Sequence, residues 1–284
     1  MRVQHVPSVL LATVPAGLLL CAWEAYVRVA GVDRVFLPAP TQVLKVTWDS
    51  AGLLATHARL TLLEATLGLL LAFVAGCALG AMVGLSPLLR RSVYPLLVVS
   101  QTIPMIALAP LLVLWFGFGI LPKLLVVALV CFFPLAVSMA DGLASAEPDA
   151  LRLLRSMGAS PTQLFFKVRL PGALPYLFSG AKIAVTYAVI GAVFGEWVGA
   201  YEGLGILMQT AKNSYRTDIV FAAILVTSLL SVGLFGLVSI LERVMLPWHV
   251  RGSGTAMDQS PRIQPIIGGR RRAPGDRREI VENV

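Results

Sequence analysis

Charge is scarce in this chain of 284 residues: Asp, Glu, Lys and Arg make up 13% of it, against about a quarter of an ordinary soluble domain. Cysteine and histidine are scarcer still, with 3 of each. Cys21, Cys77 and Cys131 all fall in apolar stretches, at spacings that fit neither a disulfide framework nor a metal knuckle, and read as buried membrane cysteines. His5, His57 and His249 lie far apart with no carboxylate or cysteine at ligand spacing, so neither a metal site nor histidine-based catalysis is expected. Glycine never directly precedes lysine; the residues that do are Leu44, Pro122, Phe166, Ala181 and Ala211. A Walker A phosphate loop is therefore missing, and the chain cannot hydrolyse ATP by that device. There is no G-x-S-x-G elbow either. No catalytic residue is expected, and no cofactor bound by this chain.

Apolar residues fill the space that charge leaves. They make up 57% of the chain, and mean hydropathy is +0.81. Six apolar segments stand out, near residues 8–29, 60–84, 93–116, 121–140, 177–200 and 219–241. Each approaches the ~20 residues that a membrane-spanning helix needs. The fold class predicted is all-α integral membrane, with six transmembrane helices. The first segment lacks a small-residue cleavage site after its apolar run and reads as a retained span. Turns at Gly117–Gly119 and Leu121–Pro122 separate the third and fourth spans. Pro95, Pro104 and Pro110 fall inside the third, where freed carbonyls can border a pathway; a kinked packing helix is the plainer alternative. Gly76, Gly80 and Gly84 form a small-residue ladder in the second, read as packing. Residues 31–58 read as a short helix on the outer surface. Residues 1–250 form the membrane domain, and the polar tail 251–284 is predicted to be disordered. Its Arg270–Arg272 could touch anionic lipid or stand in solvent.

The net charge of +8 sits in short loops and the tail, which suits membrane orientation rather than a nucleic-acid face. With six spans, both termini share one side. Arg90, Arg91, Arg152, Arg155, Lys167, Arg169, Arg243 and Arg251 fall there, against Arg34, Lys45, Lys123, Lys212 and Arg216 on the other. The richer side is the cytoplasmic one, so both termini and the 142–176 loop are expected in the cytoplasm.

That loop is long for a connection between spans. Within it, "EPDALRLLRSMGASPTQLFFKVRLPGALP" parses into two short helices with an elbow. Pro148 suits a first turn, and Leu151, Leu154 and Met157 share a face apart from Arg152 and Arg155. Gly158 is a natural stop. Ser160, Pro161 and Gln163 then open a second helix with an S-x-x-Q capping box, and Pro171 is expected to end it. A hairpin on the cytoplasmic side, arginines outward, looks like a docking element; a solvated re-entry loop is the alternative.

Here the chain resembles a known family, the permease subunits of bacterial ATP-binding-cassette importers, whose cytoplasmic loop carries E-A-A, then a Gly, then L-P. Gly158, Leu170 and Pro171 stand at the matching places, while Arg152, Leu153 and Leu154 stand where E-A-A would be. "FLPAPTQVL" at 36–44, "LAPLLVLWFGFG" at 108–119 and "TDIVFAAILV" at 217–226 resemble the branch that imports nitrate, sulfonates, taurine or the pyrimidine precursor of thiamine. "GEWVGAYEGLGILM" at 195–208 looks most similar to the pyrimidine-precursor and riboflavin members. The resemblance implies a multi-pass protein of the bacterial plasma membrane. It also implies a second permease copy, most simply a homodimer, cytoplasmic ATPase subunits that hold ATP and Mg, and an extracytoplasmic solute-binding protein. It makes Arg152, Arg155, Ser156, Met157, Gly158, Ala159, Ser160, Leu170 and Pro171 the residues that couple to the ATPase.

Ionisable groups inside the spans are few: Glu24, Glu64, Lys182 and Glu196. Charge at bilayer depth is costly and often functional. Glu24 and Lys182 read as structural, through interface placement or pairing. Glu196, beside Trp197 and a glycine-rich run, is either an interfacial anchor or part of the translocation pathway. Pro104 and Pro110 are the other pathway candidates. An ion-gradient-driven secondary transporter is the rival reading; it would want several intramembrane carboxylates and inverted repeats, which the sequence does not clearly present. A membrane enzyme would need a His, Asp or Glu cluster at one face.

Overall fold

The computed structural model of the chain describes residues 8–248, with side chains from residue 13 onward. The tail predicted at 251–284 lies outside the described residues. Among those described, every regular element is helical. Helix α1 (Ser8–Val29) has the bounds expected of the first span, and α2 (Pro40–Asp49) is the expected short helix. Pro40 takes a first-turn position of α2, and the Gln42 side chain reaches back to the Ala39 N–H. Four helices are long and apolar enough to cross a membrane: α3 (Ala51–Leu85), α6 (Ile120–Ala144), the helix that runs through α9 (Leu170–Glu196), and α11 (Thr217–Met245). Helix α3 starts well before residue 60, and its 35 residues give about 52 Å of rise, far beyond the ~30 Å hydrocarbon core.

The expected third span is not one helix. Its residues form α4 (Pro87–Ser100) and α5 (Met105–Phe116), bent by 95° at the break before Pro104. Thr102 and Ile103 turn the chain, and Pro104, with no N–H to donate, can only begin the next helix. Leu121–Pro122 is no turn either. Both lie in the first turn of α6, where a proline's missing donor has no partner to lose.

Close approach between helices rests on small residues. A Cβ at Gly68 would lie 2.5 Å from Val127 Cβ, one at Gly80 2.4 Å from the Ala136 oxygen, and one at Gly84 2.8 Å from the Ala140 oxygen. The ladder therefore packs, as expected, and against α6. Numbers rise together along both helices, so α3 and α6 run parallel. Helix α9 runs antiparallel to α6: Gly195 meets Lys123, Gly191 meets Val127, Gly180 meets Pro134, and Ala173 meets Gly142. Ala65, Ala72, Cys131, Ala184, Ala188 and Ala192 fill the resulting core, and Cys131 Sγ donates to the Ala184 oxygen at 3.2 Å. Cys131 alone fits the buried-cysteine expectation; Cys77 is half-buried and Cys21 is exposed among the outward apolar residues of α1.

These contacts sort the chain into two ends. At one end lie Ala51–Glu64 of α3, the head of α6, Glu196 and the start of α11; the α1 C-terminus joins them through Trp23 and Phe221, whose rings lie 5.7 Å apart. At the other end lie Leu85, the Arg90–Asp141 ion pair of 2.8 Å, the 145–170 insert and the Lys182–Glu242 ion pair that ties α9 to α11. Lys182 and Glu24 are thus paired, as expected; Glu24 holds Arg28 Nε at 2.6 Å and accepts from Thr41.

Candidate functional site

The insert opens with α7 (Pro148–Ser156), Pro148 in its first turn. Its end is a double closure. Gly158 N–H donates to the Arg155 oxygen and Ala159 N–H to the Leu154 oxygen, each at 3.0 Å. This is the Schellman pattern, which needs a left-handed residue, and Gly158 supplies it with φ of +84°. Ser160 then caps α8 (Pro161–Leu164): its Oγ accepts from Gln163 N–H at 3.3 Å, and its own N–H donates to Gln163 Oε1 at 2.9 Å. The elbow is therefore rigid by construction, one helix stop abutting one helix start.

The second helix does not end at Pro171. Residues Phe165–Arg169 form a π-turn that carries α8 straight into α9, so Pro161–Glu196 is one run of 36 residues. A wide turn of this kind leaves the i−4 ladder unmade locally, which is how a proline ring and its missing N–H are accommodated inside a helix. The hairpin is thus one short helix joined through the elbow to the base of a long one. Leu164 is buried, and Phe165 and Leu170 pack on the core.

The site residues predicted for coupling divide accordingly. Arg152, Arg155, Ser156, Met157, Gly158 and Ser160 are exposed together on the outer ridge of the elbow, with Ala159 half-buried among them. Leu170 and Pro171 are not on that ridge; both are half-buried, and Leu170 packs on the core. Leu153 and Phe166 are also exposed, apolar groups in a cationic setting. Arg152 pairs with Asp149 at 3.2 Å.

A second constellation occupies the opposite end. Lys123, expected in an outer loop, is buried in α6 and pairs with Glu64 of α3, Nζ to Oε1 2.7 Å. An ammonium next to small-residue helix contacts is tolerated there because its counter-charge is in contact. Beside them Glu196 is fully buried rather than interfacial. Thr61 Oγ1 donates to its Oε1 at 2.6 Å, and the Gly205 N–H donates to its Oε2. Leu204 N–H donates in turn to Thr61 Oγ1 at 2.9 Å. Glu196 therefore caps the N-terminus of α10 (Leu204–Asn213), where the free N–H groups and the helix dipole favour an anion. His57, Thr61 and Glu64 lie along one stripe of α3, and His57 Nδ1 accepts from Gly203 N–H at 2.9 Å. Trp197 Nε1 donates to the Gly205 oxygen at 3.1 Å, so both sides of that residue's backbone are held.

Pro104 and Pro110 are exposed on the bent pair, away from the insert, with Ile106, Leu114 and Trp115 exposed beside them. Among the described residues no group of three or more His, Cys, Asp or Glu side chains is placed to hold a metal.

A profile of the family described as "Binding-protein-dependent transport system inner membrane component" matches residues 68–246. The chain is similar to the formylaminopyrimidine transport permease protein ThiX of Halalkalibacterium halodurans, 42% identical over 82% of this chain and 93% of that protein. It is 33% identical to the taurine transport system permease protein TauC of Escherichia coli, over 82% of this chain and 87% of the relative. A chain in the solved inward-facing MetNI methionine ABC transporter shares the fold, with a TM-score of 0.56 and 22% identity over 68% of this chain and 97% of that one.

Proposed function

This chain belongs to the family of binding-protein-dependent transport system inner membrane components, the permease subunits of ATP-binding-cassette importers, and from that premise we propose that its solute is a small aminopyrimidine. The observation that carries the solute is the 42% identity with the formylaminopyrimidine relative, against 33% with the taurine relative.

Six crossings are the reading that the helix ends support. Because α3 and α6 are parallel, the chain between them must return across the bundle, so α4 and α5 act as one broken span rather than a loop re-entering one face. Ser8, the insert and Met245 then share a side, and the richer set of cations at that end supports reading it as the cytoplasmic one. The ridge from Arg152 to Ser160 is the surface offered to a cytoplasmic ATPase subunit, with Leu170 and Pro171 as its root; ATP and Mg are held by that subunit. The solute-binding protein delivers at the Glu196 end. The exposed apolar side of α4 and α5, with Leu96, Ile106, Leu114 and Trp115, suits a second copy of this chain. The pathway between copies would pass Pro104, Pro110 and Trp197, with Glu196 bracing its outer end. A gradient-driven transporter is not favoured: Glu64, Glu196 and Glu242 are engaged by Lys123, by Thr61 and Gly205, and by Lys182.

The test is reconstitution of the chain with its ATPase and binding protein in proteoliposomes. Uptake of formylaminopyrimidine that depends on internal ATP is expected. ATP-driven uptake of taurine but not the pyrimidine would overturn the solute. Uptake that survives ATP depletion with an ion gradient intact would overturn the whole reading.

A further inference from the structure

We propose that Glu196 is the joint through which movement of the cytoplasmic elbow reaches the outer helix α10, an inference that rests on the importer reading above. The run from Pro161 to Glu196 has 36 residues, about 54 Å at the helical rise. That exceeds the ~30 Å hydrocarbon core. One end abuts the Gly158–Ser160 elbow through a capped start that continues through the π-turn at Phe165–Arg169. The other ends on Glu196. The elbow and the outer end are therefore joined by a single element, and what that element holds at its far end moves with it.

What it holds is α10. Two attachments compete for that helix. One fixes it to α3 and α11: Leu204 is buried with Leu54, Ala58, Ala222 and Ala223, and Gly203 N–H donates to His57. The other fixes it to α9, through Glu196 to Gly205 N–H and Trp197 to the Gly205 oxygen. The glycines of the G-L-G run at 203–205 are the mark of this second attachment. A Cβ at Gly203 would lie 2.2 Å from Glu196 Cδ, and one at Gly205 2.5 Å from the Val193 oxygen and 2.8 Å from Glu196 Oε2. Gly203 also has φ of +129°. The loop between Glu196 and α10 thus closes over the carboxylate with no room for a side chain. Both carboxylate oxygens are used, one by Thr61 and one by Gly205. Glu196 is thereby a positioning residue: it decides whether α10 follows α9 or stays with α3 and α11.

The acceptor pattern tells the variants apart. Glu196→Met keeps the length and removes both acceptors, leaving the Gly205 N–H facing apolar atoms, with only the His57 oxygen left to the Thr61 hydroxyl. Glu196→Gln keeps one carbonyl oxygen for Gly205, while Thr61 can turn its hydroxyl to the His57 oxygen, 3.2 Å away. Gly205→Ala breaks the same joint from the other side, against backbone rather than a movable side chain.

The experiment is distance measurement by electron spin resonance on the complex of this chain with its ATPase subunits in nanodiscs, nucleotide-free and trapped with Mg-ATP and vanadate, in a Cys21→Ser, Cys77→Ala background. An outer label pair, Gly52 and Lys212, reports α10 against α3; an inner pair, Ser92 and Asp149, reports the elbow against α4; all four positions are exposed. Both pairs should shift on trapping in the parent chain. In Glu196→Met and in Gly205→Ala the outer shift should vanish while the inner shift persists, and Glu196→Gln should restore the outer shift. An outer shift unchanged in Glu196→Met and Gly205→Ala would overturn the inference, as would loss of the inner and outer shifts together, which marks a general structural role. Absence of any inner shift in the parent would overturn the importer reading, and the joint with it.

Discussion

The Lys123–Glu64 pair offers the sharpest test of how this bundle is held together. Its side chains are 9% and 1% exposed, and the ions touch at 2.7 Å. Lys123→Met would leave a carboxylate in the small-residue seam where α3, α6 and α9 meet, with no counter-charge in contact. Breaking a buried pair from one side costs about 3–5 kcal/mol, because the remaining ion is stranded. Glu64→Leu should cost a similar amount, by stranding the ammonium. Removing both ions strands neither, so the double variant should be no less stable than either single one, and the cycle should show a coupling well above the ~0.5 kcal/mol within which independent sites add. Reversible unfolding in mixed detergent micelles measures all three. The exposed Arg152–Asp149 pair, 79% and 83% accessible, provides the control: Arg152→Met should leave unfolding unchanged. If the costs of Lys123→Met and Glu64→Leu simply add in the double variant, the two groups do not stabilise one another and the reasoning fails.

Three further outcomes are expected. Gly80→Ala places a methyl 2.4 Å from the Ala136 oxygen and should cost about 1–3 kcal/mol by overpacking, whereas Gly236→Ala, with nothing within 4 Å, should be neutral or stabilising; equal unfolding midpoints would contradict the parallel α3–α6 seam. Lys182→Met should loosen α11 from α9 at a cost of about 1–2 kcal/mol, between the values for exposed and buried pairs, seen as faster hydrogen exchange in α11. Gly158→Arg should abolish uptake in an assembled protein: nothing lies within 4 Å of that position, so the added bulk falls on the partner, and Gly158→Asn, which tolerates φ of +84°, should retain most uptake. Normal uptake by Gly158→Arg would separate the elbow from coupling.

The apolar runs located every long helix because hydrophobic length is a local property that burial in lipid demands. The elbow was equally legible: Pro148, Gly158, Ser160 and Gln163 each act within one turn of where they stand. Errors arose where neighbours decide. Pro171 reads as a terminator from its missing N–H, yet a π-turn five residues long absorbs the ring, and nothing in the local sequence announces that turn. The prolines of the third apolar segment announce a kink, but neither they nor its composition encode a 95° bend that splits it into two helices. Of its three prolines only Pro104 falls at the break, while Pro95 and Pro110 lie inside α4 and α5.

The buried charges show where more could have been read. Glu64 stood in a span without a partner, and an uncompensated carboxylate at that depth is untenable. The rule therefore requires a cation from another helix at the same level. Lys123 meets that requirement: it lies at the head of the fourth span, as Glu64 lies near the head of the second, and parallel spans bring two heads to one level. Assigning it to a loop left the carboxylate unexplained. Glu196 is the harder case, because the two groups that donate to it, the Thr61 hydroxyl and the Gly205 N–H, carry no charge. A lone threonine is no signal among apolar residues, and the backbone donor of Gly205 leaves no residue type to find. The trace it does leave is steric: Gly203 and Gly205 on either side of Leu204, the residues whose side chains the carboxylate would displace. A glycine pair shortly downstream of an in-span Glu can therefore mark a capped helix start, as well as a flexible loop.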